Sequence, residues 1–564
     1  MSRMPAMQAV VEVLESEGVD TVFGIPGAAI LPFYDALRGS SVRHLTVRHE
    51  EGATHAADGY SRATGRIGVA VGTSGPAGTN MVTGLYTAWA DSVPILTITG
   101  QVALAQLDRE GFQAVDIAEI VRPVVKKSYL VSQPDQLPWV FREAFQIMRE
   151  GRPGPVHIDL PIDVQLASIG YDGAADGPLV VSRAAPHPAA IERALDLLLA
   201  AKRPLLMPGG GVILADACAE LVQLAELLGV PVLPTLMGWG AIPNDHPLYV
   251  GLAGIQTQTR AGNEALLESD LVLAVGARFA DRHTGELDVY RGDRTFIHVD
   301  VEPTQIGRVF GPDLGIVADA KLALQALIDA ARRRSLTGRG GSGWSARVPE
   351  RRRELARRTD YDQVPIKPQR VFAEINEFFD RDTVFVTAIG LYQIFSGQHQ
   401  EVYQPRHYLI CGQAGPLGWE ISACTGAKLG CPEKTVVGIV GDYSFQFLIE
   451  EIAVACQYEV PFVIVMLNNA YLGLIRQAET KYDMNYAVNI DYDESYGIDH
   501  VKVMEGMGAL GRRVEHPDEI TDALKWALDS AQEHRRPVLV EIITERDTNA
   551  PMGNALNTIN EFET

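Results

Sequence analysis

Short apolar runs alternate with amphipathic stretches along the whole chain. Runs rich in Val, Ile, Leu and Ala occur at 69–72, 94–99, 156–160, 271–275, 436–440 and 463–467. Such runs, separated by helical stretches, are typical of parallel strands that are covered by helices on both faces. The pattern therefore predicts an α/β protein with three doubly wound parallel-sheet domains.

The N-terminal stretch has the pattern of an amphipathic helix. One face of that helix would carry Ala9, Val10, Val13 and Leu14. This stretch does not show the pattern of a signal peptide, in which a basic start is followed by an apolar core. The apolar run 460–467 is too short to span a bilayer. We expect a cytoplasmic protein with no membrane partner.

Breaks in the pattern divide the chain into domains. Pro- and Gly-rich sequence runs from Asp163 to about Pro188, and a basic segment rich in Gly and Arg lies at 332–362. We expect domains at 1–165, 188–335 and 365–545, a linker at 336–364 and a C-terminal tail, a candidate lid, at 546–564. A basic glycine-rich segment is compatible with RNA binding. Between two α/β units of an acidic chain, a solvated linker is favoured.

Composition narrows the class of protein. The 564 residues carry a net charge of −22 at pH 7, with 46% hydrophobic and 21% charged residues. This charge disfavours nucleic acid and anionic lipid as partners. The five cysteines contain no CxxC pair, so reduced thiols are expected rather than disulfides or a zinc site.

Two polar turns in the C-terminal third follow neighbouring predicted strands. Asp442 comes after the run 436–440, and Asn469 follows the run 463–467. Adjacent parallel strands would place both side chains at the carboxyl edge of one sheet, where α/β proteins bind ligands. Either turn alone is explained by the preference of Asp and Asn for turns and caps. The pair supplies hard oxygen ligands suited to Mg²⁺ bound to a phosphate.

The sequences Gly441-Asp-Tyr-Ser and Leu467-Asn-Asn-Ala-Tyr-Leu-Gly resemble the cofactor motif of thiamine diphosphate enzymes. The resemblance implies that Asp442, Asn469 and the backbone carbonyl of Tyr471 bind Mg²⁺. The family motif has glycine where this chain has Tyr443. The thiamine diphosphate contacts that the resemblance implies in this domain are Ile389, Gly390, Leu391, Tyr392, Gly415, Leu417, Gly441, Tyr443, Ser444, Tyr471, Leu472 and Gly473.

The N-terminal third resembles the same enzymes. The run Arg48-His-Glu-Glu-Gly-Ala-Thr-His is similar to the helix that carries their catalytic glutamate, and the family order selects Glu50. Without the resemblance, an acidic pair here would be explained as a favourable helix start. Glu50 is implied to hydrogen-bond the aminopyrimidine ring.

Further catalytic and cofactor contacts are implied by the resemblance. Pro26 and Thr73 lie in glycine-rich turns similar to cofactor-facing loops of the first domain. Phe112 and Gln113 match a pair that lines the reaction side. Leu417 is implied to lie under the thiazolium ring and to hold the cofactor bent.

The middle third resembles the FAD-carrying domain of acetohydroxyacid synthases and glyoxylate carboligases, in which the flavin is structural. The implied FAD contacts are Gly209, Gly210, Gly211, Thr235, Leu236, Gly254, Arg278, Asp281, Arg282, Asp300, Asp319 and Ala320. A flavin-dependent oxidase is the competing interpretation, but these motifs do not indicate redox turnover at the flavin.

Within this acetohydroxyacid synthase-like group, the segments 411–419 and 470–477 most resemble glyoxylate carboligases. The resemblance implies decarboxylation of a small 2-oxo acid, glyoxylate first, and joining of the carbanion to a second carbonyl to give tartronate semialdehyde and CO₂. Two positions depart from that pattern. Glu50 stands where glyoxylate carboligases carry Val, and Ala478-Glu-Thr stands where their segment ends in a basic residue.

Other functions stay open. An acetolactate synthase or a 2-oxo acid decarboxylase is the alternative within the family. A nicotinamide dehydrogenase is disfavoured, because no complete G-x-G-x-x-G is followed by an acidic residue at the usual distance. A non-catalytic homologue is disfavoured by Glu50, Asp442 and Asn469. Because family members bind the two ends of the cofactor on different subunits, the resemblance implies a homodimer or homotetramer.

Overall fold

A computed structural model describes residues 3–336, 343–484, 486–490 and 497–562. Over these residues the chain forms three parallel sheets, each flanked by helices, and one antiparallel pair of short strands. The predicted α/β class with three doubly wound sheets is confirmed. The glycine-rich part of the predicted linker, 337–342, lies outside the described residues.

The N-terminal domain contains the first parallel sheet. The strands of this domain are β1 Arg3–Pro5, β2 Thr21–Gly24, β3 Arg43–Thr46, β4 Gly68–Gly72, β5 Ile95–Gln101, β6 Lys127–Leu130, β7 Val156–Pro161 and β8 Ser168–Gly170. Its α-helices are α1 Ala6–Ser16, α2 Leu31–Leu37, α3 Glu50–Thr64, α4 Pro76–Asn80, α5 Val82–Asp91, α6 Ile117–Ile120, α7 Leu137–Arg149 and α8 Ile162–Gln165. The sheet order is β3-β2-β4-β5-β7-β6, and β1 pairs with β8.

The middle domain contains a smaller sheet of order β12-β11-β10-β9. These strands are β9 Pro204–Pro208, β10 Leu271–Val275, β11 Thr295–Asp300 and β12 Leu314–Val317. The helices are α9 Pro188–Ala200, α10 Gly210–Leu214, α11 Cys218–Leu228, α12 Arg260–Glu268, α13 Asp281–Thr284, α14 Leu287–Arg291, α15 Ala320–Arg333, α16 Gly343–Ala346 and α17 Val348–Glu354. Single bridges through Val232 and Tyr249 extend the sheet beyond β9.

The C-terminal domain contains the third sheet. Its strands are β13 Val384–Thr387, β14 Tyr408–Ile410, β15 Val436–Gly441, β16 Val463–Asn468, β17 Leu510–Val514 and β18 Val538–Ile543. Its α-helices are α18 Pro368–Phe378, α19 Leu391–His399, α20 Trp419–Gly430, α21 Asp442–Phe445, α22 Glu451–Gln457, α23 Gly473–Glu479, α24 His500–Gly506 and α25 Ile520–His534. The sheet order is β14-β13-β15-β16-β18-β17.

Burial explains the apolar pattern of the strands. Every residue of β4, β5, β7, β10, β15, β16 and β18 is buried, as expected for strands with helices on both faces. The predicted N-terminal helix is confirmed as α1, and the face that carries Val10 and Leu14 is fully buried. None of the helices within the described residues is long and apolar enough to cross a membrane.

The described part of the predicted linker differs from the expected solvated segment. After residue 342 the chain forms α16 and α17, which pack on the middle domain. Trp344 Nε1 donates a hydrogen bond to the carbonyl of Pro204 (3.0 Å), and the guanidinium of Arg351 lies over the Trp344 ring. This part of the segment is packed because its one Trp and the stem of Arg351 cover the end of β9.

Helices α3 and α20 join the N-terminal and C-terminal domains. A Cβ placed on Gly59 would lie 2.4 Å from the carbonyl oxygen of Ala423, and a Cβ on Gly426 would lie 1.9 Å from that of Ala56. Only glycine permits this approach of the two backbones. The contact fixes the two larger sheets relative to each other.

Candidate active site

A cavity of about 300 Å³ opens at the carboxyl edge of the C-terminal sheet. It is lined by predicted cofactor and metal residues, namely Ile389, Gly390, Leu391, Tyr392, Leu417, Gly441, Asp442, Tyr443, Ser444, Asn469, Tyr471, Leu472 and Gly473. Pro368, Thr544 and Thr548, which the sequence did not indicate, also line it. The structure thus brings together residues from the ends of β13, β15 and β16 and from the loop before α20.

Asp442 lies at the centre of this edge. It is 3% exposed, and its Oδ2 accepts a hydrogen bond from the backbone N–H of Ala470 (2.8 Å). The side chain of Asn469 accepts a hydrogen bond from the N–H of Tyr471 (3.3 Å), and the bond from Ala470 ties this turn after β16 to the carboxylate. Burial raises the pKa of Asp442 to about 7, against a smaller lowering by His500.

The donor set fits a hard cation shared with a phosphate. Among the described residues, no group of three or more His, Cys, Asp or Glu side chains is arranged around a metal position. Asp442, Asn469 and the carbonyl of Tyr471 instead provide one carboxylate, one amide and one backbone oxygen, which suits Mg²⁺ completed by phosphate oxygens. A Cβ on Gly473 would lie 2.7 Å from Asn469 Nδ2, so glycine at this position lets the Asn469 amide keep its place.

A larger cavity of about 970 Å³ lies where the three domains meet. The predicted FAD residues that line it are Gly210, Gly211, Thr235, Leu236, Arg278, Asp281, Arg282, Asp300, Asp319 and Ala320. Gly209 and Gly254 are outside its lining but adjoin lining residues. Gly415, predicted as a thiamine diphosphate contact, lines this cavity together with Ile389. The cavity therefore extends from the middle domain to the turns of the C-terminal domain.

Asp91, at the end of α5, joins all three domains beside this cavity. Its carboxylate accepts hydrogen bonds from the backbone N–H groups of Gly412 (2.8 Å) and Gln413 (3.1 Å), in the loop that leads to α20. Arg62 donates to the same carboxylate (3.1 Å). Arg278 of the middle domain approaches it at 3.5 Å. One buried carboxylate of the N-terminal domain thus holds the loop that leads to α20 of the C-terminal domain.

Glu50 begins α3 at the carboxyl edge of the N-terminal sheet. The side chain is half-buried, and its Oε2 accepts a hydrogen bond from Asn80 Nδ2 (2.9 Å). A Cβ on Gly72 would lie 3.6 Å from Glu50 Cγ, so the glycine-rich turn after β4 runs beside the carboxylate. Asn80 was not identified from the sequence, because a lone Asn in a short helix carries no distinctive signal.

The other N-terminal candidates lie at the same sheet edge. Thr73 contacts the turn that contains Pro26, and its hydroxyl accepts a long hydrogen bond from the N–H of Ala29 (3.4 Å). Gln113, with φ of 59°, packs beside the turn after β4, and Phe112 is 85% exposed. None of these residues lines either cavity. Within one chain, the N-terminal candidates and the C-terminal cavity form two separate groups.

Two buried glutamates were missed by the sequence analysis. Glu451 Oε1 accepts the backbone N–H groups of Arg48 (2.8 Å) and His49 (2.9 Å) and so fixes the entry to α3. Burial raises its pKa to about 7. Glu420 lies in the first turn of α20 and is 1% exposed. The available signal was an acidic residue in an otherwise apolar helix, which is ordinarily explained by the helix dipole.

A carboxylate–amide pair at a cavity on the carboxyl edge of one sheet, and a helix-borne carboxylate at the same edge of a second sheet of the same order, are typical of α/β proteins that bind a ligand at the ends of their strands. Family models described as thiamine pyrophosphate enzyme match the N-terminal TPP binding domain over residues 4–120, the central domain over 191–327 and the C-terminal TPP binding domain over 388–542. The chain belongs to the thiamine pyrophosphate enzymes, as the resemblance predicted.

Relatives span the full chain. A glyoxylate carboligase of Escherichia coli O157:H7 is 51% identical, with 100% of this chain and 97% of the relative covered. A probable acetolactate synthase large subunit of Methanocaldococcus jannaschii is 38% identical, with 97% and 93% covered. An acetolactate synthase large subunit of Corynebacterium glutamicum is 38% identical, with 98% and 89% covered.

Proposed function

We propose that the chain is a thiamine diphosphate- and Mg²⁺-dependent carboligase that decarboxylates glyoxylate and joins the remaining carbon unit to a second carbonyl, giving tartronate semialdehyde and CO₂. The observation that carries the proposal is full-length identity of 51% to a glyoxylate carboligase. The cavity around Asp442 and Asn469 supports a diphosphate and metal site.

In this proposal the C-terminal residues bind and orient. Asp442, Asn469 and the Tyr471 carbonyl hold Mg²⁺, and Leu417 supports the ring end of the cofactor. Thiamine diphosphate, when bound, supplies the electron sink that allows a carbonyl carbon to act as a nucleophile after loss of CO₂. Leu391, Leu417 and Leu472 give this cavity apolar walls, which disfavour water beside a bound cofactor.

Glu50 is the proposed proton-holding group. Its carboxylate is half-buried at a sheet edge and is oriented by Asn80, which leaves the second oxygen, Oε1, to hold the proton shared with the aminopyrimidine ring. Positioned proton transfer typically contributes about 10²–10⁴-fold to rate. Phe112 and Gln113 are proposed to line the reaction side.

Separation of Glu50 from the C-terminal cavity supports a homodimer or homotetramer. In this arrangement the N-terminal sheet edge of one subunit completes the C-terminal cavity of another. The 85% exposure of Phe112 in the single chain agrees with coverage by a partner subunit, because large exposed aromatic side chains mark interaction sites.

The larger cavity is proposed to hold a structural FAD, with Arg278, Asp300 and Asp319 among its contacts. Purified protein should then be yellow, and its flavin absorbance should persist when substrate is added without oxygen. Bleaching in proportion to turnover would contradict a structural role and favour a flavin-dependent reaction.

Product analysis tests the proposed reaction. The protein, supplied with thiamine diphosphate and Mg²⁺, is incubated with glyoxylate and separately with pyruvate, and CO₂ and organic products are measured. Tartronate semialdehyde from glyoxylate supports the proposal. Acetolactate from pyruvate without tartronate semialdehyde would establish the alternative, an acetolactate synthase, which the 38% identical relatives and the carboxylate of Glu50 favour. Free aldehyde and CO₂ would indicate a simple decarboxylase.

A further inference from the structure

Glu420 is a fully buried carboxyl group that accepts hydrogen bonds from two hydroxyl groups and from the backbone N–H groups of Ala388 and of Glu420 itself. The hydroxyl of Tyr392 donates to its Oε1, and Ser444 Oγ lies 3.0 Å and 3.1 Å from its two oxygens. Burial without an opposite charge is costly for a carboxylate, and it raises the pKa of Glu420 to about 7. The packing of the apolar helix α20 does not by itself explain why an acidic residue occupies this position.

Tyr392 connects this carboxyl group to two cofactor turns. A Cβ on Gly390 would lie 2.4 Å from the Tyr392 ring, and a Cβ on Gly441 would lie 2.7 Å from it. The ring therefore fills the space between the turn after β13 and the turn after β15. Both turns line the smaller cavity, and the ring is anchored at its far end by Glu420.

Ser444 connects the same carboxyl group to the metal side and to the ring side. It lies two residues after Asp442 in α21, and its Oγ accepts a hydrogen bond from the backbone N–H of Gly418 (3.0 Å). Gly418 directly follows Leu417, the proposed support of the thiazolium ring. One carboxyl group thus links three segments, the turn 388–391, the turn 441–444 and the loop 412–418, which we call the cofactor turns.

We propose that Glu420 is a positioning residue that holds the cofactor turns in one arrangement, so that the diphosphate, metal and ring contacts form together. The inference rests on the proposed thiamine diphosphate site. Glu420 itself does not line the cavity, and its effect passes through Tyr392 and Ser444. Its loss should therefore weaken cofactor binding more than it destabilises the fold.

Glu420→Gln tests the link with nearly unchanged shape. In the amide an NH₂ group replaces one of the two acceptor oxygens that Tyr392 and Ser444 contact, and the negative charge is lost. We expect the dissociation constant for thiamine diphosphate at saturating Mg²⁺ to rise about 10- to 100-fold, the range for loss of a hydrogen bond to a charged group. Binding is measured by quenching of intrinsic fluorescence, and the thermal midpoint of the cofactor-free protein is measured in parallel.

Glu143→Gln is the matched control. Glu143 Oε2 accepts hydrogen bonds from the Tyr129 hydroxyl (2.5 Å) and Lys127 (2.9 Å) in the N-terminal domain, outside both cavities. This variant loses a similar carboxylate–tyrosine contact and should leave the cofactor dissociation constant unchanged. An equal weakening in both variants would overturn the proposal, since the effect would then be one of general stability.

A double-mutant cycle tests whether Glu420 acts through Tyr392. Tyr392→Phe removes the hydroxyl alone, and the combination with Glu420→Gln should weaken binding no further than the stronger single variant does. Full additivity would contradict the link. If Glu420→Gln does not fold, Tyr392→Phe combined with Ser444→Ala decides instead, because unchanged cofactor affinity there overturns the proposal.

Cofactor binding by the wild-type protein tests the proposed function, and the comparison with Glu420→Gln tests the positioning role of Glu420. Wild-type protein that binds no thiamine diphosphate with Mg²⁺ would refute the proposed function. Wild-type protein that binds the cofactor, alongside a Glu420→Gln variant with the same affinity and turnover, would refute the positioning role alone.

Discussion

The N-terminal and C-terminal domains have the same sheet topology but different chemistry at the same edge. Numbered along the chain within each sheet, both have the strand order 2-1-3-4-6-5, with all neighbouring strands parallel. The N-terminal edge carries the half-buried Glu50, whereas the C-terminal edge carries the buried Asp442 and the amide of Asn469. The shared topology provides the edge, and the residues of the turns decide what it binds.

The corresponding helices sharpen this contrast. Helix α3 follows β3 and α20 follows β14, the equivalent strand, and each helix has a glutamate in its first turn. Glu50 has an amide partner and remains partly open to a ligand, whereas Glu420 is enclosed and faces the hydroxyls of Tyr392 and Ser444. The first turns of these two helices thus carry one carboxylate that is proposed to contact the cofactor and one that is proposed to position the cofactor turns.

The largest expected effect is on the C-terminal edge. Asp442→Ala removes the carboxylate from the proposed Mg²⁺ site and leaves the metal and diphosphate without an anionic protein ligand. We expect loss of cofactor retention and of all activity, measured by cofactor titration and CO₂ release. Wild-type affinity in this variant would mean that the metal binds elsewhere and that the two edges do not divide their roles in this way.

Glu50→Gln tests the N-terminal edge. The amide can still reach the aminopyrimidine ring but cannot share a proton as the acid does, so exchange of the cofactor C2 proton should slow by about 10²–10⁴-fold. Cofactor affinity should change little, because the metal contacts are on the other sheet. Exchange followed by NMR in deuterated buffer measures this rate. Exchange at the wild-type rate would remove Glu50 from the proton-holding role.

Glu50→Val sharpens the same test, because valine is the residue that the resemblance to glyoxylate carboligases implies at position 50. If the rest of the site has carboligase character, this variant should retain measurable ligation while proton exchange slows. Complete loss of ligation together with unchanged cofactor binding would show that the site depends on the carboxylate, as expected for other thiamine diphosphate enzymes.

The sequence predicted the strands and the turns at their ends better than the contacts between distant segments. The runs 436–440 and 463–467 correctly indicated neighbouring strands, because apolar runs and polar turns are local signals. The partners of Asp91 and Glu451 could not be predicted. They join segments hundreds of positions apart, and only the folded domains bring an acid to the backbone N–H groups of a loop.

The pH dependence of metal binding is a smaller effect that again separates the two edges. In the metal-free protein, burial raises the pKa of Asp442 from an ordinary 3.8 to about 7, so protons compete with Mg²⁺ below pH 7. The apparent dissociation constant for Mg²⁺ should rise about tenfold for each unit of pH below 7 and level off above it. Calorimetric titrations in buffers of different ionisation enthalpy should detect proton release near pH 6. A dissociation constant for Mg²⁺ that does not change between about pH 5.5 and about pH 8 would contradict competition between protons and Mg²⁺ at this carboxylate.

The smallest expected effect concerns the junction through which the N-terminal domain holds a loop of the C-terminal domain. Asp91→Asn keeps the shape but removes the charge that faces Arg62 and the backbone N–H groups of Gly412 and Gln413. We expect a loss of about 1.5–3 kcal/mol in the free energy of unfolding, the range for a hydrogen bond to a charged group.

The matched control for Asp91 is Asp245, which pairs with Arg381 between the middle and C-terminal domains (2.5 Å) but is 54% exposed. Asp245→Asn should cost less than about 1 kcal/mol, because exposed ion pairs contribute little. Urea unfolding of both variants measures the difference. An equal loss of unfolding free energy in the two variants would mean that the buried and the exposed ion pairs between domains stabilise the protein to the same extent. A larger loss for Asp91→Asn would show that the buried contact to the loop before α20 contributes more to stability than the exposed ion pair does.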